Sequence, residues 1–178
     1  MLKKISAATS IILLVSCVAV AFQTDKAWPT FDSPEGRFSV LMPTKPTVET
    51  KDIDSAVGKL TMYAYSSSSS VGYFMVSFGD YPREAVDAAQ REAVLDGVRG
   101  GVLKGLEAEI ISDEKITFEG YPGREFKAKR TLEGNEIVFN WKIVLVGRRL
   151  YQLAAATSKD NAGSPEIAKF LTSFKLPK

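Results

Sequence analysis

Apolar and polar residues alternate with period two along much of this chain, and that spacing predicts strands. Trp28 to Phe31 is a short extended piece, and Ser33-Pro34-Glu35-Gly36 reads as a turn. Arg37 to Met42 follows with Phe38, Val40 and Met42 on one face, and Pro43 ends it. Pro43 and Pro46 frame a loop. Lys59 to Tyr65 then sets Leu60, Met62 and Ala64 against Thr61, Tyr63 and Tyr65. Tyr73 to Phe78 places Phe74, Val76 and Phe78 on one side, so the two runs predict a hairpin with Ser66 to Ser70 as its loop.

At Pro82 the period changes. Arg83 to about Leu106 has helical spacing, and Pro82 suits the first helical position because the N–H it lacks would be unpaired there. Two rows run along this helix at every fourth residue. One is Ala85, Ala89, Ala93, Gly97, Gly101, Gly105; the other is Val86, Gln90, Val94, Val98, Val102, Leu106. A face of small residues lets a helix lie close against a sheet or another helix. Each glycine also costs about 1 kcal/mol of helix stability relative to alanine, so packing must compensate or the helix ends near Gly100-Gly101.

Strand spacing then resumes. Ile110 to Phe118, either continuous or broken at Asp113-Glu114, is followed by the turn Gly120-Tyr121-Pro122-Gly123 and by Arg124 to Leu132. Glu133-Gly134-Asn135 turns the chain into Glu136 to Val146, where Ile137, Phe139, Trp141, Ile143 and Leu145 share a face. Gly147-Arg148 is a tight turn into Leu150 to Thr157. Ser164-Pro165-Glu166 opens a last helix with a capping serine, a proline at its first position and an acid in its first turn. Ile167, Phe170, Leu171 and Phe174 form its apolar stripe. Short turns between consecutive strands mean antiparallel pairing. Apolar residues on both faces of the central strands call for helices on both sides. The expectation is an α+β domain layered around an antiparallel sheet of about six or seven strands.

The N-terminus belongs to a different class of segment. Lys3 and Lys4 precede an apolar stretch from Ile5 to Phe22, and Ala19-Val20-Ala21 supplies small residues before a cut, so residues 1–21 read as a signal peptide. Cleavage between Ala21 and Phe22 leaves a single domain, 22–178. Two other readings stay open. Leu14-Val15-Ser16-Cys17 resembles a bacterial lipobox, which makes Cys17 a candidate for lipidation, and the apolar run is at the lower edge of an uncleaved anchor. The domain's destination in each case is extracytoplasmic, either periplasmic or secreted, or anchored as a lipoprotein.

Removing that segment alters the charge. The chain has 23 Lys and Arg against 21 Asp and Glu, and without Lys3 and Lys4 the two counts are equal. A neutral, mixed surface argues against a nucleic-acid groove or a polybasic membrane patch. Membrane contact is therefore expected only through the N-terminal segment.

Missing residues narrow the chemistry. The chain has no histidine, and its one cysteine is Cys17. Ser-His-Asp and Cys-His catalysis are excluded, the usual zinc ligands are absent, and no disulfide forms within the domain. No phosphate-binding glycine loop of known spacing occurs, so no cofactor is expected. Carboxylates remain. Asp52 and Asp54 lie on one side of an extended segment, and Glu107/Glu109 and Asp113/Glu114 are further pairs. Each pair reads first as solvated surface charge. Arg148-Arg149 at a hairpin tip could meet a partner's acid or phosphate, and reads first as a charged turn. Trp28, Tyr63, Tyr65, Tyr73, Trp141 and Tyr151 could line a pocket, but their strand spacing favours sheet packing.

Several stretches together resemble one family. Phe31-Asp32-Ser33-Pro34-Glu35-Gly36-Arg37-Phe38-Ser39-Val40, then Met42-Pro43 and Pro46, is similar to the opening of PsbP-like domains. So are Tyr121-Pro122-Gly123-Arg124-Glu125, Gly147-Arg148-Arg149-Leu150-Tyr151-Gln152-Leu153 and Phe170-Leu171-Thr172-Ser173-Phe174. The resemblance spans nearly all of the chain after its leader. It implies an α-β-α sandwich around an antiparallel sheet and a non-catalytic accessory or binding role, without a catalytic motif to carry over. The expected function is an exported, non-enzymatic binding module acting on a protein partner in the cell envelope. The alternatives are a carboxylate-dependent hydrolase, which needs two acids across a cleft, and a small-ligand carrier, which needs an enclosed apolar pocket.

Overall fold

A computed structural model describes residues 27–55, 57–87 and 90–177. The leader, with Cys17, Ala21 and Phe22, lies outside these described residues. β1 (Thr30–Ser33) and β2 (Phe38–Leu41) form an antiparallel hairpin. β3 (Thr47–Ser55), β4 (Gly58–Ser68), β5 (Gly72–Asp80), β6 (Glu109–Phe118), β7 (Tyr121–Leu132), β8 (Asn135–Val146) and β9 (Arg149–Ser158) make one seven-stranded sheet in the order β3-β4-β5-β9-β8-β7-β6. Every pairing is antiparallel. Among the described residues two α-helices complete the fold, α1 (Arg91–Leu106) and α2 (Pro165–Ser173). The chain is thus α+β in the broad sense and mainly β.

Strand alternation sorts the core into two clusters, because successive side chains point to opposite sheet faces. Ile143 and Leu145 of β8, Leu150 of β9 and Phe126 of β7 join Leu60 of β4 and Leu95 of α1 in one cluster. Phe74, Val76 and Phe78 of β5 and Tyr151, Leu153 and Ala155 of β9 form the other. That second cluster receives Phe38, Val40 and Met42 from the β2 segment and Ile167 and Phe170 from α2. Around Phe38 the aromatic rings meet edge to face or tilted, with Tyr65, Phe78, Tyr151 and Phe174 at centroid distances of 5.7–6.4 Å.

α2 begins as its sequence dictates. The Ser164 hydroxyl accepts a hydrogen bond from the Glu166 amide at 3.3 Å, and Pro165 occupies the first turn. Just beyond the helix, Lys175 exchanges two backbone hydrogen bonds with Ser39, at 2.9 and 3.0 Å, tying the C-terminus to β2.

Several elements differ from the sequence expectation. β3 occupies a stretch for which the sequence predicts no strand, although Asp52 to Asp54 reads as extended. It is the sheet's edge strand and solvated on both faces, so its residues carry no apolar alternation to betray it. Ser66–Ser68 are strand rather than loop, paired with Met75 to Tyr73; the turn needs only Ser69 to Val71, where the Ser69 hydroxyl accepts from the Val71 amide at 3.1 Å. The turn before β7 sits at Glu119-Gly120, both at positive φ, which frees Tyr121, Pro122 and Gly123 to extend the strand. β6 runs unbroken through Asp113-Glu114, its irregularity falling between Ile110 and Ser112. Pro82 precedes a single 3₁₀ turn at Arg83–Ala85, and the long helix starts only at Arg91. Its end is not at the glycines: Glu107 takes the left-handed conformation at φ 50°, and the Ala108 amide closes back on the Leu103 carbonyl at 3.0 Å.

Candidate functional site

α1 lies across β7 and β8. Its placement is electrostatic as well as apolar. The Arg124 guanidinium of β7, nearly buried, bonds both oxygens of Asp113 on β6 at 2.7 and 2.8 Å and also meets Asp96 of α1. Arg99 of α1 meets the same Asp113. Lys115 and Glu92 pair at 2.8 Å nearer the start of the helix. Near its end, Arg130 of β7 donates to the Leu106 carbonyl and to Glu107, both at 3.0 Å. Burial pushes the Asp113 carboxyl up, but hydrogen bonds from Arg124 and Arg99 more than reverse this and hold it below the usual carboxylate range.

These ties pull α1 toward the β6–β7 side of the sheet. The β3–β4 side is left open, and a groove of about 630 Å³ runs between the helix and the β3–β4 hairpin. Ile53, Met62, Val94, Val98 and Val102 line it, with Gly97 and Gly101 in its helical wall. A methyl group built on Gly97, Gly100, Gly101 or Gly105 would meet nothing within 4 Å. The expectation that the small-residue row packs close against the sheet is therefore wrong. Leu95 is the buried residue of the helix, and the small residues Ala93, Gly97 and Gly101 face the groove. Gln152, which lines it, accepts from the Trp141 indole N–H at 3.2 Å, and burial raises the pKa of the Tyr81 hydroxyl in the same lining.

A second concavity, of about 370 Å³, lies where the β8–β9 turn meets the end of β5 and is lined by Arg37, Asp80, Val146, Arg148, Arg149 and Tyr151. Arg149 bonds Asp80 through two nitrogens at 2.8 and 2.7 Å. That hydrogen bonding lowers the Asp80 carboxyl and raises the guanidinium further above its ordinary value.

The carboxylate pairs of the sequence do not assemble into a site. Asp113 and Glu114 are consecutive in one strand and so point to opposite faces. Glu107 is the helix cap bound to Arg130, and Glu109 opens β6 opposite Lys129. Asp52 accepts from Thr61 at 2.8 Å, while Asp54 stands at the groove rim. Among the described residues no group of three or more Cys, Asp and Glu is placed to hold a metal ion. A general acid working near neutral pH needs a raised pKa; Asp80 and Asp113 are shifted the other way.

The aromatic residues pack in the core as their spacing suggested. Trp28 meets Phe74 at 4.9 Å, Tyr63 stacks on Phe78 at 5.0 Å, Trp141 lies parallel to Phe126 at 6.1 Å, and Tyr65 and Tyr151 are buried. Tyr73 is the exception, 44% exposed. Arg149 is more than a charged turn, since it joins the hairpin to Asp80 and to the Glu35 carbonyl at 2.8 Å. Sequence reasoning missed the groove, the Arg124 network and the contribution of Arg37.

An antiparallel seven-stranded sheet carrying two helices and a small β-hairpin defines an α+β domain of PsbP-like fold. The solution structure of cyanobacterial PsbP (CyanoP) from Synechocystis sp. PCC 6803 superposes with a TM-score of 0.57 at 13% identity, over 92% of this chain and 99% of that one. A crystal structure of a protein from Bacteroides thetaiotaomicron is similar at a TM-score of 0.48 and 16% identity, over 85% of this chain and 49% of the other. At 13% identity the likeness to cyanobacterial PsbP is one of fold. No protein-family model and no curated protein matches the chain. Among the described residues no helix is long and apolar enough to cross a membrane.

Proposed function

We propose that this chain is an exported, non-enzymatic binding module that holds a protein partner of the cell envelope by taking an apolar segment of that partner into the groove beside α1. The observation that carries the reading is the bare helical wall: Gly97 and Gly101 line an apolar groove that none of the described side chains fills. Grooves beside a helix suit apolar side chains of a partner, because removing such surface from water contributes about 25 cal/mol per Å² against the entropic cost of association. The bound state of Asp113 and Asp80 disfavours the hydrolase alternative. Export rests on the leader, with Ala21–Phe22 as the cut and Cys17 lipidation as its competitor. The PsbP-like resemblance supports an accessory role. In the same reading the fold is an α-β-α sandwich, with α1 over one sheet face and α2 with the β1–β2 hairpin over the other; the two core clusters support it.

The test places a photocrosslinking residue at Asp54 on the groove rim of the full chain, expressed in its own envelope. A discrete protein adduct that disappears on adding Gly97→Leu is expected. An adduct indifferent to that substitution, or a lipid retained in the native mass spectrum, overturns the reading, and the lipid favours a carrier. The intact mass of the isolated protein decides the leader. A start at Phe22 supports simple secretion, and an acylated Cys17 supports the lipoprotein.

A further inference from the structure

The concavity at the β8–β9 turn carries a second inference, which goes beyond the groove and does not depend on it. Three segments distant in sequence are stitched together there. The Tyr151 hydroxyl donates to the Gly36 carbonyl at 2.7 Å, Arg149 donates to the Glu35 carbonyl at 2.8 Å, and the Tyr81 amide donates to the Arg148 carbonyl at 2.8 Å. The turn that presents Arg37 is further closed by the Gly36 amide on the Ser33 hydroxyl at 3.0 Å. Gly36 has no room for a side chain, since an added Cβ would run into the Phe38 ring and the Ser33 hydroxyl. Arg37 itself sits in the left-handed region at φ 54°, a conformation that non-glycine residues adopt at a cost and that concentrates at functional positions.

The charges in this concavity do not cancel. Arg37, Arg148 and Arg149 face one carboxylate, Asp80, and Arg149 already neutralises it. Glu35 contributes only its backbone carbonyl. Arg148 donates its Nε to the Tyr81 carbonyl at 2.8 Å, and its two terminal nitrogens make no hydrogen bond within the described residues. The Arg37 guanidinium is exposed and makes no hydrogen bond or ion pair there either. Two guanidinium groups with unused donors thus border one depression on a domain whose basic and acidic residues, without Lys3 and Lys4, are equal in number.

We infer that this concavity binds a phosphoryl dianion, held between Arg37 and Arg148. A carboxylate offers one edge, suited to one guanidinium fork, as the Asp80–Arg149 pair in the same depression illustrates. A tetrahedral phosphoryl group offers several edges and can accept from two forks at once, and its double charge matches the local surplus. Free phosphate and a phosphate monoester share this chemistry.

The test is calorimetric titration of the purified full chain with inorganic phosphate, glycerol phosphate and acetate at matched ionic strength. Saturable phosphate binding is expected, weakened about tenfold or more by either Arg37→Gln or Arg148→Gln, since a charge-assisted hydrogen bond has that net worth. Lys104→Gln, on α1, should leave the affinity unchanged. Tighter binding of glycerol phosphate than of inorganic phosphate points to an ester as the source, and equal binding points to the free ion. Acetate binding as tightly as phosphate, equal affinity in the arginine variants, an equal loss in Lys104→Gln, or no saturable phosphate binding overturns the inference. Both arginines are exposed, so unchanged thermal unfolding of the variants separates loss of the site from loss of the fold.

Discussion

Replacing glycines of α1 with alanine should stabilise this protein, and the result tests the groove directly. Gly97, Gly100, Gly101 and Gly105 all lie within the helix and none is at positive φ. A Cβ at any of them meets nothing within 4 Å, so no packing penalty opposes the gain in helix propensity. That gain is about 0.8–1.0 kcal/mol per residue. The quadruple variant should therefore gain about 3–4 kcal/mol, and at roughly 2–4 °C per kcal/mol for a domain of this size its Tm should rise by about 6–16 °C. Thermal and urea unfolding followed by circular dichroism measure this, with an unchanged m-value showing that the surface exposed on unfolding is the same. The four positions also form an internal comparison. Gly97 and Gly101 line the groove, whereas Gly100 and Gly105 do not. If the first pair lowers Tm while the second raises it, the helix lies against the sheet in solution and the groove is closed. If none of the four raises Tm, the segment is not a stable helix. Gly123→Ala serves as contrast: its Cβ would stand 2.5 Å from the Ile143 carbonyl oxygen, so it should destabilise by about 1–3 kcal/mol.

Other outcomes follow from the ion pairs and caps. Because its pairing with Arg124 and Arg99 lowers the Asp113 carboxyl below its ordinary value of 3.8, its stabilisation is present above that pH and is lost as pH falls through the folded value. Asp113→Asn should cost about 2–4 kcal/mol at pH 7 and flatten the acid limb of stability against pH; an unchanged acid limb would remove Asp113 from the account. Ser164→Ala should cost about 1 kcal/mol by deleting the cap on α2, read by urea unfolding, and Ser164→Gly only a few tenths. Tyr151→Phe should cost about 1–2 kcal/mol by leaving the Gly36 carbonyl unpaired. Its refutation is a variant as stable as the parent with the Arg37 turn unmoved in amide exchange.

How far the sequence disclosed all this depended on burial. β8 was legible because its two faces meet different cores: Trp141, Ile143 and Leu145 alternate against buried Asn140, Lys142 and Val144. α2 was legible because Ser164, Pro165 and Glu166 act locally. β3 was not, since an edge strand bonded to one neighbour buries little, and Lys51, Asp52 and Asp54 look the same in a loop. The serine run was misread for a related reason: serine is rare in strands, yet Ser67 is buried there and Ser66 pairs with Thr47. For the site, spacing revealed a row of small residues but not whether anything approaches it. That depends on Arg99, Asp96, Asp113 and Arg124, which draw the helix to the far side from separate segments. Arg148 and Arg149 were visible as a pair. Arg37 and Asp80 were not, because Arg149 reaches Asp80 across 69 residues and Tyr151 reaches the Arg37 carbonyl across 114.

The strand order has a consequence for the birth of the molecule. β3-β4-β5 and β6-β7-β8-β9 are each wired by neighbouring hairpins, and the sheet's long-range seam is β5 against β9. As the chain emerges, the first three strands can zip together at once, but the inner edge of β5, with Phe74, Val76 and Phe78, has no mate until β9 appears some 70 residues later. Closing that seam is the slow, entropically expensive step, and until then an apolar strand edge is exposed to other chains. Delivery to its destination before the seam closes would require that this edge be shielded in transit.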